Sequence, residues 1–74
     1  MGTVPAVSFL NPDSDEWGRA WALLAKEGVN LSTWIYMGSY LNDRGWTHEF
    51  RGRCPETNTR TYIQVKASPG WRPE

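Results

Sequence analysis

The sequence predicts an α+β domain in which one N-terminal α-helix packs on a three-stranded antiparallel β-meander, in the order α-β-β-β. Three observations carry this expectation. Residues 46–53, Trp-Thr-His-Glu-Phe-Arg-Gly-Arg, alternate ring-bearing with polar or charged side chains for most of their length, the two-residue period of a strand with one buried and one wet face. The flanking segments, residues 33–41 and 59–66, are rich in β-branched and aromatic residues, as strands are. Ahead of them, Trp17, Ala20, Trp21 and Leu24 follow the 3–4 spacing of a helix with one apolar stripe.

Residues 1–12 contain Pro5, which argues against a central strand and leaves either a short edge strand or an arm laid across the core by Val7, Phe9 and Leu10; we favour the arm. The domain proper runs from 13 to 67. Its helix begins at a capping side chain, Asp13 or Ser14, with Asp15 and Glu16 in the first turn where the helix dipole favours acids. It continues to about Glu27, and Gly28 closes it. Gly18 inside it marks either close approach to another backbone or simple tolerance.

Asn42-Asp43-Arg44-Gly45 reads as a type I turn ending in a glycine bulge. That turn sets Tyr40 opposite Thr47, Ser39 opposite His48, Met37 opposite Phe50, Tyr36 opposite Arg51 and Trp34 opposite Arg53. The second turn, Pro55-Glu56-Thr57-Asn58, with Asn able to adopt a left-handed conformation, sets Arg53 opposite Arg60, Arg51 opposite Tyr62, Phe50 opposite Ile63 and His48 opposite Val65. The pleat then gives two faces. Ile35, Met37, Leu41, Trp46, Phe50, Ile63 and Val65, with Ser39 and His48 among them, should meet the helix. Trp34, Tyr36, Tyr40, Arg51, Arg53, Arg60, Tyr62 and Lys66, with Gln64 and the one acid Glu49, should face outward. Residues 68–74 read as a tail whose Trp71 either folds back on the sheet edge or stays loose.

The chain has 74 residues, room for one domain whose core seldom supplies more than about 3–5 kcal/mol without a staple. Cys54 is the single cysteine, so no disulfide helps, and Cys54 with the single His48 cannot complete a four-ligand zinc centre unless carboxylates join them. Neither a metal nor a cofactor is expected. Five Trp, three Tyr and two Phe carry about 150–250 Å² of buriable surface each, more than so short a chain hides, so some rings must be exposed or covered by a partner. Net charge is zero but divided: residues 1–43 sum to −3 and residues 44–73 to +4, a dipole whose basic half attracts anionic partners. No targeting pattern or membrane-spanning run is present, and a free cysteine fits a reducing compartment, so no membrane association and a cytoplasmic location are expected.

Catalysis has little support. A lone histidine on an apolar strand face, His48, is more often a hydrogen-bonded core residue than a general base. Cys54 has the cations Arg53 and Arg60 to lower its pKa but no second catalytic group nearby in sequence, and Glu49 with Glu56 makes no convincing carboxylate pair. The outer face is the stronger candidate, as a non-enzymatic binding surface formed by Trp34, Tyr36, Tyr40, Arg51, Arg53, Arg60, Tyr62 and Lys66. Trp, Tyr and Arg are the residues enriched in interface hot spots, which puts a protein partner or a homodimer first. Rings beside guanidiniums also suit nucleic acid, single-stranded or duplex, and that reading stands second. The bland alternative is that Tyr–Arg and Trp–Arg neighbours only stabilise the sheet.

Overall fold

The computed structural model describes residues 7–73. Strand β1 (Val7–Ser8) is followed by helix α1 (Asp15–Ala25), a short 3₁₀ turn (Leu31–Thr33), and strands β2 (Ile35–Asn42), β3 (Gly45–Arg53) and β4 (Arg60–Lys66). The α+β class and the antiparallel sheet are as expected from sequence, but the sheet has four strands in the order β1-β2-β3-β4, all antiparallel. The favoured arm is corrected to the alternative, a short edge strand: Val7 pairs with Tyr40 and Ser8 with Ser39, because the β2 edge offers unpaired backbone groups that an extended neighbour satisfies. Of the three side chains expected on the core only Leu10 is buried, while Val7 and Phe9 are exposed; residues 1–6, with Pro5, lie outside the described residues.

Ser14 is the N-cap, its hydroxyl accepting from the Trp17 N–H, and Asp15 and Glu16 fill the first turn. The helix ends about two residues earlier than the sequence suggests, and Gly28, at φ 80°, turns the chain away. A Cβ added at Gly18 would meet nothing, so that glycine is tolerated rather than required. Ala20 and Leu24 are fully buried, with Trp17 and Trp21 packed beside them on Phe50 and Tyr36.

Both turns form. Asn42 pairs with Gly45 at φ 101°, and the Arg44 N–H donates to the Asn42 side chain. Asn58 takes the left-handed conformation, at φ 55°. The β3–β4 register is the expected one throughout: Arg53 faces Arg60, Arg51 Tyr62, Phe50 Ile63 and His48 Val65. The β2–β3 register is the expected one from Ser39, opposite His48, to Asn42, and slips only beyond Gly38. Gly38 pairs with Glu49 and Tyr36 with Phe50, leaving Met37 as the extra residue of a bulge. Gly38 makes this possible, since its φ of 143° is strained for any residue with a Cβ.

A one-residue slip sends every side chain before it to the other face. The expected pairs Met37–Phe50, Tyr36–Arg51 and Trp34–Arg53 are therefore replaced by Tyr36↔Phe50 and Ile35↔Arg51. Trp34 and Tyr36 turn inward, Trp34 to 7% exposure, while Ile35 turns outward to 53%. The Trp34 indole lies on Gly52, where an added Cβ would overlap the ring, so the bare backbone of β3 forms its seat. Leu41, expected inside, is 44% exposed. The tail folds back: Trp71 stacks edge-on against Trp46 and His48. No helix among the described residues is long and apolar enough to cross a membrane.

Candidate functional site

Two polar constellations flank the sheet. Under the helix a relay of hydrogen bonds runs through the core. The Leu10 N–H donates to the Tyr36 hydroxyl (2.9 Å), which leaves the Tyr36 proton for Ser39 Oγ (2.6 Å) and the Ser39 proton for His48 Nδ1 (2.7 Å). The His48 proton then sits on Nε2 and is donated to Glu16 Oε2 at 2.7 Å, a tautomer assigned by the Ser39 donor on one side and the Glu16 carboxylate acceptor on the other. Glu16 also accepts from the Ser68 hydroxyl (2.6 Å) and the Ser68 N–H (2.9 Å), with the Arg19 guanidinium 3.8 Å away. Burial acts to raise the Glu16 pKa, but the hydrogen bonds from Ser68 and His48 outweigh it and hold the carboxyl below its ordinary value.

Ser39, His48 and Glu16 are the residue types of a nucleophilic triad. Ser39 and His48, however, are 0% exposed, so no substrate reaches the hydroxyl, and its proton already completes the relay. What the string does is fasten α1, β2, β3 and the tail together. Among the described residues no buried side-chain nitrogen or oxygen lacks a partner. Sequence reasoning placed His48 in the core but missed Glu16, which it had assigned to the helix dipole. The signal was present: Glu16, Ala20 and Leu24 are spaced four apart and share the buried stripe.

The outer face is different in kind. Of its expected members, the register brings Tyr40, Arg51, Arg53, Arg60, Tyr62 and Lys66 to one side of the sheet, joined by Ile35 and Val7. Trp34 and Tyr36 are not there, the correction the bulge imposes; Arg53, Arg60, Tyr62 and Lys66 are exposed, and Tyr40 and Arg51 half-buried. Tyr62, Ile35 and Val7 are each about half exposed, at 51%, 53% and 51%. Arg51, Arg53, Arg60 and Lys66 have no carboxylate within ion-pair distance among the described residues. The one acid, Glu49, accepts instead from the Gln64 amide at 3.0 Å. Burial, and then the nearby Glu49 charge, push the Tyr40 hydroxyl above its ordinary pKa.

Cys54 sits at the β3 end with its backbone tied into the second turn: its N–H donates to the Thr59 carbonyl (2.9 Å) and its carbonyl accepts from the Asn58 N–H (2.7 Å). The Thr57 N–H, the Thr57 hydroxyl and the Glu56 N–H lower its thiol pKa against the opposing effects of burial and the Glu56 charge. The sequence pointed instead to Arg53 and Arg60 as the cause. No cluster of three His, Cys, Asp or Glu that could hold a metal ion occurs among the described residues. Compared with known protein families, characterised proteins and solved structures, the chain has no significant match.

Proposed function

We propose that the chain is a small non-enzymatic binding domain whose outer sheet face recognises an acidic patch on a protein partner. The observation that carries the reading is an outer face on which four cations stand without an ion-pair partner among the described residues, around the half-exposed Tyr62 and Ile35. Interfaces join an apolar or aromatic centre to a polar rim, and opposite charge guides the approach. A second copy of the chain suits the face less well. Face-to-face association brings the same four cations together, and pairing of two β4 edges in register would set Arg60 of one copy against Lys66 of the other, a charged edge of the kind that blocks such pairing. The Lys66 carbonyl on that edge is moreover occupied by the Arg19 guanidinium at 3.3 Å.

Nucleic acid is the second reading, favoured by the same cations. It has less support than the sequence suggested, because Trp34 and Tyr36, two of the four rings expected on this face, pack into the core, and base stacking needs exposed rings. One titration series separates the two. Labelled single- and double-stranded oligonucleotides and an aspartate- and glutamate-rich peptide with one aromatic residue are added at two salt concentrations, with light scattering to fix the mass. Phosphate engagement by four cations gives a log–log salt slope of roughly −3 to −4 on duplex. Protein recognition gives peptide binding that Tyr62→Ala weakens by about 2 kcal/mol. Oligonucleotide binding with the steep slope, and none of the peptide, would reverse the order of the two readings.

A further inference from the structure

A cleft of about 610 Å³ opens at the end of the sheet where β2 stops short of β3. The last β2–β3 pair is Ile35↔Arg51, and β3 runs on through Gly52 and Arg53, so the overhang and the segment that follows α1 enclose a space between them. Its volume falls in the roughly 300–1,000 Å³ range of small-molecule sites. Trp34 and Ile35 contribute apolar wall, and among the described residues the charged ones that line it are Arg51, Arg53 and Arg60.

Three features make an anion the fitting occupant. Arg53 stands directly opposite Arg60, and Arg51 is two residues along on the same face; like charges so placed repel, and none of the three has a carboxylate within ion-pair distance among the described residues. One guanidinium is already positioned: Arg53 Nη1 donates to the Asn58 carbonyl at 3.0 Å. A guanidinium carries five N–H donors, so most of the fork remains for an oxyanion, which it recognises in bidentate fashion. Finally, the wall is fixed, since the Trp34 indole is seated on Gly52 and is not free to fill the space.

We propose that this cleft binds a small organic anion: an oxyanion group, phosphate or carboxylate, held by Arg51, Arg53 and Arg60, on an apolar or aromatic body that lies against Trp34 and Ile35. The proposal does not rest on the protein-binding role, because Tyr40, Tyr62 and Lys66 line no part of the cleft, although the three arginines belong to both surfaces.

The single thiol of the chain reports occupancy, since Cys54 borders the same cleft. Phenyl phosphate, benzoate or sodium chloride at matched ionic strength is titrated into the protein at low salt. The rate of Cys54 alkylation by iodoacetamide is read by intact mass, and the amide shifts of Gly52 and Arg53 by NMR. Phenyl phosphate or benzoate should slow alkylation severalfold and move both amides in a saturable way, the more effective of the two naming the oxyanion, while chloride does neither. Arg53→Gln and Arg60→Gln should each weaken the effect about tenfold, the value of one charge-assisted hydrogen bond, with circular dichroism confirming the fold. Neither slowing nor shift up to about 10 mM, an affinity weaker than about 3 kcal/mol, overturns the proposal. So does an equal response to chloride, or an unchanged half-effect in both variants. Tyr62→Ala should leave this site intact, so loss of protein binding and loss of anion binding are read separately.

Discussion

Glu16, His48, Ser39 and Tyr36 lie on one side of β2 and β3 with every buried polar atom matched, while on the other side Arg51, Arg53 and Arg60 meet no carboxylate among the described residues. Both groups belong to one small sheet, and β3 supplies His48 to the first and Arg51 and Arg53 to the second. Burial explains the inner arrangement: an unmatched polar group taken from water costs about 1–3 kcal/mol and more if charged, so the core admits a glutamate only with a histidine and a serine to meet it. No such cost forces pairing at the surface. The outer cations are not matched in this way among the described residues, and Arg53 is set against Arg60.

The comparison breaks most sharply on the inner side. His48→Ala removes the link between Ser39 and Glu16 and strands both, at about 3–5 kcal/mol for breaking a buried pair. Since a core of this size supplies about that much in total, the variant should be largely unfolded at 25 °C, as read by urea titration and circular dichroism. A variant as stable as the parent would mean that the relay contributes nothing to the fold. Gly52→Ala comes next. The added methyl overlaps the Trp34 indole and should cost about 1–3 kcal/mol as overpacking does, with changed Trp fluorescence as the local sign.

Acid titrates the same comparison more gently. The folded Glu16 carboxyl lies below its ordinary pKa, so its stabilising share is fully present above the unfolded value, about 4.3, and is lost as pH falls through the lower folded value. Thermal midpoints measured from pH 6 down to pH 3 should fall across that window, and Glu16→Gln should flatten the fall while starting from a lower midpoint. An unchanged slope would assign acid sensitivity to other carboxylates.

These residues also show what was legible beforehand. The helix stripe, both turns and the whole β3–β4 register followed from local rules, because alternation and turn chemistry agree there. The first half of β2 did not, although Gly38 stood in the segment as a visible sign: an isolated glycine in a strand marks a bulge. Without the bulge, alternation alone sends Trp34 and Tyr36 outward. Six of the eight residues assigned to the outer face lie on it. The cleft was not legible, since it depends on β2 ending before β3 and on the loop after α1 closing the gap, both set by tertiary packing.

The smallest effect tests the outer side directly. If Arg53 and Arg60 repel, removing one charge should stabilise the free protein. Cross-strand charge pairs shift stability by roughly 0.2–1 kcal/mol, and exposure puts this one at the low end, so Arg60→Gln should raise the urea midpoint slightly at low ionic strength. Salt supplies the control. Raising it from about 0.01 to 1 M shortens the screening length from about 30 to 3 Å, which should bring parent and variant together, whereas a difference due to altered packing would persist. Conversion to glutamate goes further, because Arg60→Glu offers Arg53 an opposite charge and should exceed Arg60→Gln under the same low-salt conditions. If instead Arg60→Gln destabilises the protein at every salt concentration, the Arg60 side chain is held by contacts that outweigh the repulsion, and the contrast between a matched interior and an unmatched exterior fails at its outer end.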